Sequence, residues 1–122
     1  MTRWAIRRDL SQINVLVGSD QELMMAHPNV ISIVHEVNAK IVGFMAYALK
    51  QDYALIWELC VSENERRKGY GTVLLKHIQK PMTKVRVSEH NLIAQLFFKK
   101  NGFIGKQRGV NIIFTKVSDN HN

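Results

Sequence analysis

At 122 residues the chain is sized for one domain whose core needs neither disulfides nor a structural metal. A hydrophobic share of 46% and a charged share of 22% are ordinary for a globular protein, and the lone Cys60 excludes an internal disulfide and fits a reducing compartment. The net charge of +7 is lopsided, with five Lys/Arg against six Asp/Glu in residues 1–61 and twelve against four in residues 62–122, so the field that concentrates anionic ligands belongs to the second half.

No apolar leader follows the opening residues, and the longest apolar run, 41–49, is far short of the roughly 20 residues of a membrane helix. A cytoplasmic protein with no membrane partner is expected. Residues 3–8 read as a short strand. Asp9 fits an N-cap for a helix with Leu10, Ile13, Leu16 and Val17 on one face, stopped by Gly18. Ser19 with Glu22 forms a capping-box pattern for a helix over 20–26, closed by Pro28. The β-branched run 30–37, a polar turn at 38–40 and the apolar run 41–49 predict an antiparallel hairpin. Its second strand is apolar at nearly every position, which asks for cover on both faces.

A turn at 50–52 leads to a strand over 53–61, a loop over 62–68, and a helix from about Gly71 to Pro81 that buries Val73, Leu74 and Ile78. Val85 and Val87 mark a short strand. A helix over 91–100 follows, with Ile93, Leu96, Phe97 and Lys100 on one face and a left-handed stop at Asn101-Gly102. A last hairpin joins 103–106 to 110–117 around 107–109, and 118–122 read as a frayed tail. The order predicts a single α/β domain over 1–122, with a mixed, mostly antiparallel sheet and helices on both faces.

The stretch from Glu58 to Lys80 carries the chemistry. A strand running into a glycine-bearing basic loop and then a helix gathers unpaired backbone N–H groups at one spot, an anion site. Gly69 and Gly71 would let a ligand approach the backbone, and Arg66, Arg67 and Lys68 add positive charge. The P-loop pattern is absent. The dinucleotide pattern starts at Gly69-Tyr70-Gly71 but meets Leu74 where its third glycine belongs.

Arg66-x-x-Gly69-x-Gly71 after Leu59-Cys60-Val61 resembles the acetyl-CoA motif of the GNAT acyltransferase superfamily, [Gln/Arg]-x-x-Gly-x-[Gly/Ala]. Downstream, Asn91, Ala94, Phe97-Phe98, Lys100 and Gly102-Phe103 are similar to the family's N-x-x-A-x-x-[FLY]-Y-x-K-x-G-F. The opening Ile6-Arg7-Arg8-Asp9-Leu10 and the element order also resemble it, so the likeness spans nearly the whole chain. It implies a GNAT-like fold, acetyl-CoA as co-substrate, and an amine-bearing small molecule, peptide or protein as acceptor. It also implies that backbone N–H groups from Arg66 through Arg67, Lys68, Gly69, Tyr70 and Gly71 to Thr72 hold the pyrophosphate. The pantetheine arm would run beside Leu59, Cys60 and Val61 where two parallel strands splay apart, with Asn91 and Phe98 on its other side. Backbone N–H near Cys60 and Val61 would polarise the thioester carbonyl.

Two departures bear on catalysis. Phe98 stands where the family often carries a tyrosine that protonates the leaving thiolate, and phenylalanine donates no proton. Tyr47, Tyr53, Tyr70 or water are the substitutes the sequence offers. Arg86 stands where some relatives place a catalytic glutamate. Glu58, acidic in an apolar strand, is costly to bury unpaired and reads either as base or substrate carboxylate or as half of an ion pair. Strand alternation puts it on one face with Cys60, and Trp57 and Leu59 on the other, unless a bulge intervenes. Glu89 and His90 read equally as solvated or functional. Trp4 and Trp57 read as core, Cys60 as packing, and the histidines lack metal-ligand spacing. Weak acid–base equipment suits an α-amine, neutral about 14% of the time at pH 7 against about 0.04% for a lysine side chain. The alternatives are a catalytically weak acyl-CoA-binding domain and a nucleic-acid-directed member of the same family.

Overall fold

In the computed structural model, which describes residues 1–118, the first strand is shorter than the sequence suggests: β1 spans Thr2–Trp4. The last four residues of the expected tail lie outside the described residues. Residues Arg7–Asp9 form a 3-10 turn because Asp9 pulls the chain inward. Its carboxylate accepts Ile6 N–H at 2.8 Å and a two-pronged bond from Arg3 at 2.7 and 2.9 Å, while Arg3 Nε reaches Glu36 at 2.8 Å. Asp9 is therefore a buried anchor, and α1 (Leu10–Val17) begins after it with no side-chain cap bond. Gly18, at φ 89°, ends α1. The next helix, α2 (Glu22–Ala26), starts two residues later than 20: Gln21 stands at its N-cap with no side-chain cap bond, and Asp20 rather than Ser19 accepts Glu22 N–H, at 3.0 Å.

β2 (Val30–Val37) and β3 (Lys40–Leu49) form the predicted hairpin, with Lys40 in the strand and a two-residue turn. Asn38 and Ala39 both hold positive φ, 52° and 64°, the pattern of a type I′ turn that continues the strands' twist. Ile41 through Ala48 are buried throughout, as an apolar run with two covered faces requires. On one face α1 and α2 pack Ile13, Met24 and Met25 against Val34, Phe44 and Ala46. On the other lie Met45, Tyr47, Leu74, Phe98, Phe103 and Phe114.

β4 (Ala54–Val61) leads through a 3-10 turn (Glu63–Glu65) to α3 (Tyr70–Leu75) and then β5 (Met82–Ser88). α3 has six residues and stops well before Pro81. The chain leaves it through tight turns, His77 N–H to Leu74 O and Ile78 N–H to Leu75 O, that drop Ile78 onto the core and leave Val73 exposed. α4 (Leu92–Lys100) also rotates away from the expected face: Ile93 and Leu96 are 70% and 66% exposed, and Gln95 and Phe98 are buried. Its end is a Schellman motif. Phe103 N–H bonds Phe98 O, Gly102 N–H bonds Lys99 O, and the two phenylalanine rings meet at 5.1 Å. Phe103 thus belongs to the core, and the final hairpin is shifted to β6 (Ile104–Arg108) and β7 (Asn111–Val117), with Gly109 at φ 62° in its turn.

The seven strands are ordered β1-β2-β3-β4-β5-β7-β6 and are antiparallel except for the β4–β5 pair. This is the expected mixed, mostly antiparallel sheet with helices on both faces. Among the described residues no helix is long and apolar enough to cross a membrane.

Candidate active site

β4 and β5 pair only from Ala54–Thr83 to Ile56–Val85, and beyond that the two strands part. The cause lies in β4. Ala46 pairs Glu58 and Tyr47 pairs Ile56, so Trp57 is an extra residue in a bulge that bends β4 where its pairing with β5 ends. β4 continues along β3 as far as Val61, and Ser62 N–H donates to Val42 O at 2.7 Å. In an antiparallel ladder, hydrogen-bonded and non-hydrogen-bonded pairs alternate. Cys60 and Glu58 therefore share Ser62's orientation toward β3, and the backbone groups of Leu59 and Val61 turn into the gap. One of these, Val61 O, accepts Arg66 Nε at 3.4 Å.

The bulge also revises the side-chain faces. Glu58 and Cys60 pair with Ala46 and Phe44 on the α1–α2 side, whereas Leu59 packs with the opposite core. Trp57 is neither core nor on Leu59's side: it is exposed, with its ring edge-on to His27 at the end of α2, 5.8 Å between centroids. Trp4 is likewise exposed rather than core. The Cys60 thiol donates to Leu16 O at 3.2 Å. Burial pushes its pKa up, Glu58 adds to this, and Arg66 opposes it, so Cys60 is a packing thiol rather than a nucleophile. The Glu58 carboxylate, half-buried, has no hydrogen bond or ion pair among the described residues, and burial pushes its pKa up. The ion-pair explanation for this residue therefore does not hold.

The loop after β4 is built from unusual backbone. Arg67 holds φ 73° and Gly69 φ 81°, so two left-handed residues flank Lys68. Only the second is a glycine, and an arginine held there stores roughly 1–3 kcal/mol of strain. The consequence is a run of free donors. From Arg67 to Thr72, six consecutive backbone N–H groups have no hydrogen-bond partner among the described residues; the next, Val73 N–H, bonds Gly69 O at 3.0 Å. With α3 so short, what this loop offers an anion is these amides more than a helix dipole.

The side chains differ from expectation. Lys68 is paired with Glu65 at 2.6 Å, and Thr72 Oγ1 donates to Asn101 Oδ1 at 3.0 Å, tying α3 to the end of α4. Tyr70 leans on the His35 ring, with centroids 4.4 Å apart. A Cβ at Gly69 would meet nothing within 4 Å, but at Gly71 it would lie 2.8 Å from the Phe97 ring. Gly69 is thus open to a ligand, whereas Gly71 is small so that α4 can close on α3.

At α4, Asn91 Oδ1 accepts Ala94 N–H at 3.1 Å, so that side chain caps the helix. Phe98 is 4% exposed and sits in the core against Phe103 and Phe114; Phe97, not Phe98, brings α4 to the loop. Sequence reasoning missed Gln95. Its buried amide donates to Ser88 O at 3.2 Å and Glu89 O at 2.9 Å, fixing the turn from β5 into α4, and a polar residue on a helix's inward face was the available signal. Glu89 accepts from Gln107 at 3.1 Å and is not brought to Glu58. Tyr53 lies under Lys84 at 4.7 Å, and Tyr47 is buried with its pKa pushed up.

Cys60, Val61 and Arg66 line a cleft of about 570 Å³ that runs beneath Gln12, Val15 and Leu16 of α1, within the usual size range of ligand sites. The site thus joins an open strand edge, an amide-rich loop and an unpaired carboxylate. Residues 28–105 match the acetyltransferase (GNAT) domain family. No curated protein sequence matches the chain. Among solved structures, the fold is similar to the ribosomal-protein-S18-alanine N-acetyltransferase of Escherichia coli at 15% identity, with TM-score 0.82 and coverage of 100% of this chain and 98% of that one. It is similar to the PaiA N-acetyltransferase of Thermoplasma acidophilum in complex with coenzyme A at 15% identity, TM-score 0.80, covering 97% and 98%. It is also similar to a GNAT-family acetyltransferase of Staphylococcus aureus Mu50 at 14% identity, TM-score 0.81, covering 96% and 98%. At such identities the structural likeness speaks for the fold alone.

Proposed function

The chain belongs to the GNAT acetyltransferase family, whose co-substrate is acetyl-CoA, and from that premise we propose that it transfers the acetyl group to an amine by direct attack on the thioester. The observation that carries this reading is the run of six free backbone N–H groups from Arg67 to Thr72, beginning just past a strand edge opened by a bulge. The amides, with Arg66 and Arg67 beside them, suit a pyrophosphate. The backbone of Leu59 suits an amide-bearing arm laid along β4, and Val61 N–H, whose own carbonyl is taken by Arg66, is the donor suited to the thioester oxygen.

The neutral amine attacks the carbonyl carbon, a C–N bond forms, the C–S bond breaks and coenzyme A leaves as thiolate. The nitrogen's excess proton passes to Glu58, directly or through one water; its raised pKa makes it a stronger base than an exposed glutamate. Phe98 offers no proton to the thiolate. With a thiol pKa of about 8.5 the anion leaves without much assistance, so water completes the proton balance. An α-amine or another weakly basic amine is the preferred acceptor.

Thermal stability with and without acetyl-CoA tests the donor site: at 100 times its dissociation constant the ligand should add about 2.7 kcal/mol. No shift at millimolar acetyl-CoA removes the proposal. Thiol release with a panel of amines then tests the transfer, and a strong preference for lysine-like amines contradicts the assignment of Glu58 as a modest base. Ligand binding without thiol release would favour a catalytically weak acyl-CoA-binding domain, the reading to which the buried Phe98 lends support.

A further inference from the structure

The two halves of the sheet are covered differently. α1 and α2 pack over β2–β4 on one face, and α3 and α4 support the core on the other. On the α1–α2 side, β5, β7 and β6 are left without a helix. The register fixes what they present there. Val85, Phe114 and Gly105 form one cross-strand row facing the core, so the rows on either side of it face outward: Arg86–Ile113–Lys106 and Lys84–Thr115–Ile104, with Ser88–Asn111–Arg108 beyond. Four cations, Lys84, Arg86, Lys106 and Arg108, therefore share one open face, and none is in an ion pair among the described residues. Lys84 rests on the Tyr53 ring, and the other three are exposed. β5, β6 and β7 contain no Asp or Glu.

This face has a direction. Ile56 pairs Val85, and the next residues, Trp57 and Glu58 on one strand and Arg86 on the other, flank the gap between β4 and β5. An unpaired carboxylate thus stands at one end of a surface that is otherwise cationic. We propose that the acceptor is a polypeptide whose N-terminal amine is followed by acidic residues: the amine meets Glu58, and the acidic side chains cross Arg86, Lys106 and Arg108. This rests on the acetyl-transfer reading above. A polyamine or other cationic acceptor meets repulsion along the whole face. A nucleic acid matches the cations but not Glu58, and it carries no amine of comparable nucleophilicity. Paired strands lie roughly 4.8 Å apart and β4 has already parted from β5 at Glu58, so the path from β4 to β6 is at least about 15 Å, or four to five residues of extended chain and upward. The acidic residues belong at the second to fifth positions of the acceptor.

The test uses three peptides that share an N-terminal alanine and differ in the next four residues: acidic, neutral amide or lysine. Binding to the protein in the presence of coenzyme A is read by fluorescence anisotropy of a C-terminal dye, alongside thiol release with acetyl-CoA. The acidic peptide should bind roughly tenfold or more tightly than the neutral one, since several exposed charge pairs act together. The advantage should shrink toward unity at about 0.5 M salt, where screening reaches only a few Å. The double variant Lys106→Gln/Arg108→Gln should lose most of it while acetyl-CoA binding stays unchanged. Equal binding of all three peptides, an advantage indifferent to the variant, or a single-stranded oligonucleotide that displaces the acidic peptide at lower concentration overturns the proposal. If the acidic preference appears with no acetyl-CoA shift, the docking surface stands and the acetyl-transfer reading falls; the reverse pattern separates them the other way.

Discussion

Two carboxylates on the α1–α2 side of the molecule have opposite fates. Asp9 is 3% exposed and fully answered, by both prongs of Arg3 and by Ile6 N–H, and these bonds hold its pKa below the usual carboxylate range. Glu58 is only half-buried, has no partner among the described residues, and is pushed up. Burial costs a charge the same kind of energy in both places, but one site returns it through hydrogen bonds and the other does not. The first arrangement holds the start of the chain onto β2. The second leaves an unpaired carboxylate at the mouth of the strand gap, which is why the proposed function gives Glu58 the proton.

The comparison breaks most clearly at Asp9. Asp9→Ala strips Ile6 N–H of its acceptor and leaves Arg3 with only Glu36 and Trp4 O, and should cost about 2–3 kcal/mol in denaturant unfolding, with kcat per folded molecule unchanged. Because the folded pKa of Asp9 is lowered, its contribution is present above the ordinary carboxylate pKa and is lost as pH falls through the depressed value. Stability of the parent and the variant should therefore converge in acid. A stability difference that persists undiminished at low pH would refute the paired-carboxylate account.

Glu58→Gln should do the reverse, lowering kcat/KM about 100-fold without loss of stability. Here the sign is opposite. A raised folded pKa means the native state binds the proton more tightly, so the native glutamate loses stability as pH rises from about 4.5 through its folded pKa. The Gln variant should gain on the parent in that interval and match it in acid. The parent's rate should fall on the acidic side with an apparent pKa above 4.5. An acidic limb at or below the exposed value sinks the base assignment.

A smaller effect separates the two glycines of the loop. Gly71→Ala must move the Phe97 ring, since its Cβ would lie 2.8 Å away, and should cost roughly 1–3 kcal/mol by overpacking. Gly69→Ala meets no atom but keeps φ 81°, so its cost of about 1 kcal/mol is backbone strain alone. Equal losses would mean that Phe97 yields and α4 is not held by this contact. Smallest of all, Phe98→Tyr should leave kcat within a few-fold of the parent, because the ring at 4% exposure offers its hydroxyl to the core.

Much of the fold was legible in local pattern. The β2–β3 hairpin, the two-sided burial of β3, the stops at Gly18 and Gly102 and the amide-rich loop all follow from residue types acting on their neighbours in sequence. What was misread depended on distant partners. Asp9 looked like a cap because its first claimant, Arg3, reaches it only once the chain has turned. The face of α4 was assigned wrongly because the helix is apolar nearly all round, with Leu92, Ile93 and Leu96 rivalling Ala94, Phe97 and Phe98. No periodicity ranks those faces, whereas Phe103 and Phe114 do.

By itself, then, the sequence determined the amide-rich loop, since glycines and missing hydrogen bonds are set within a few residues along the chain. Only the tertiary structure decided what surrounds it. At Trp57 the register between β3 and β4 shifts by one residue, and at this bulge the edge of β4 comes free of β5, Trp57 is exposed and Glu58 stands without a partner among the described residues. The cationic face exists because pairing places residues far apart in the chain, Arg86 with Lys106 across Ile113, in one row under open solvent.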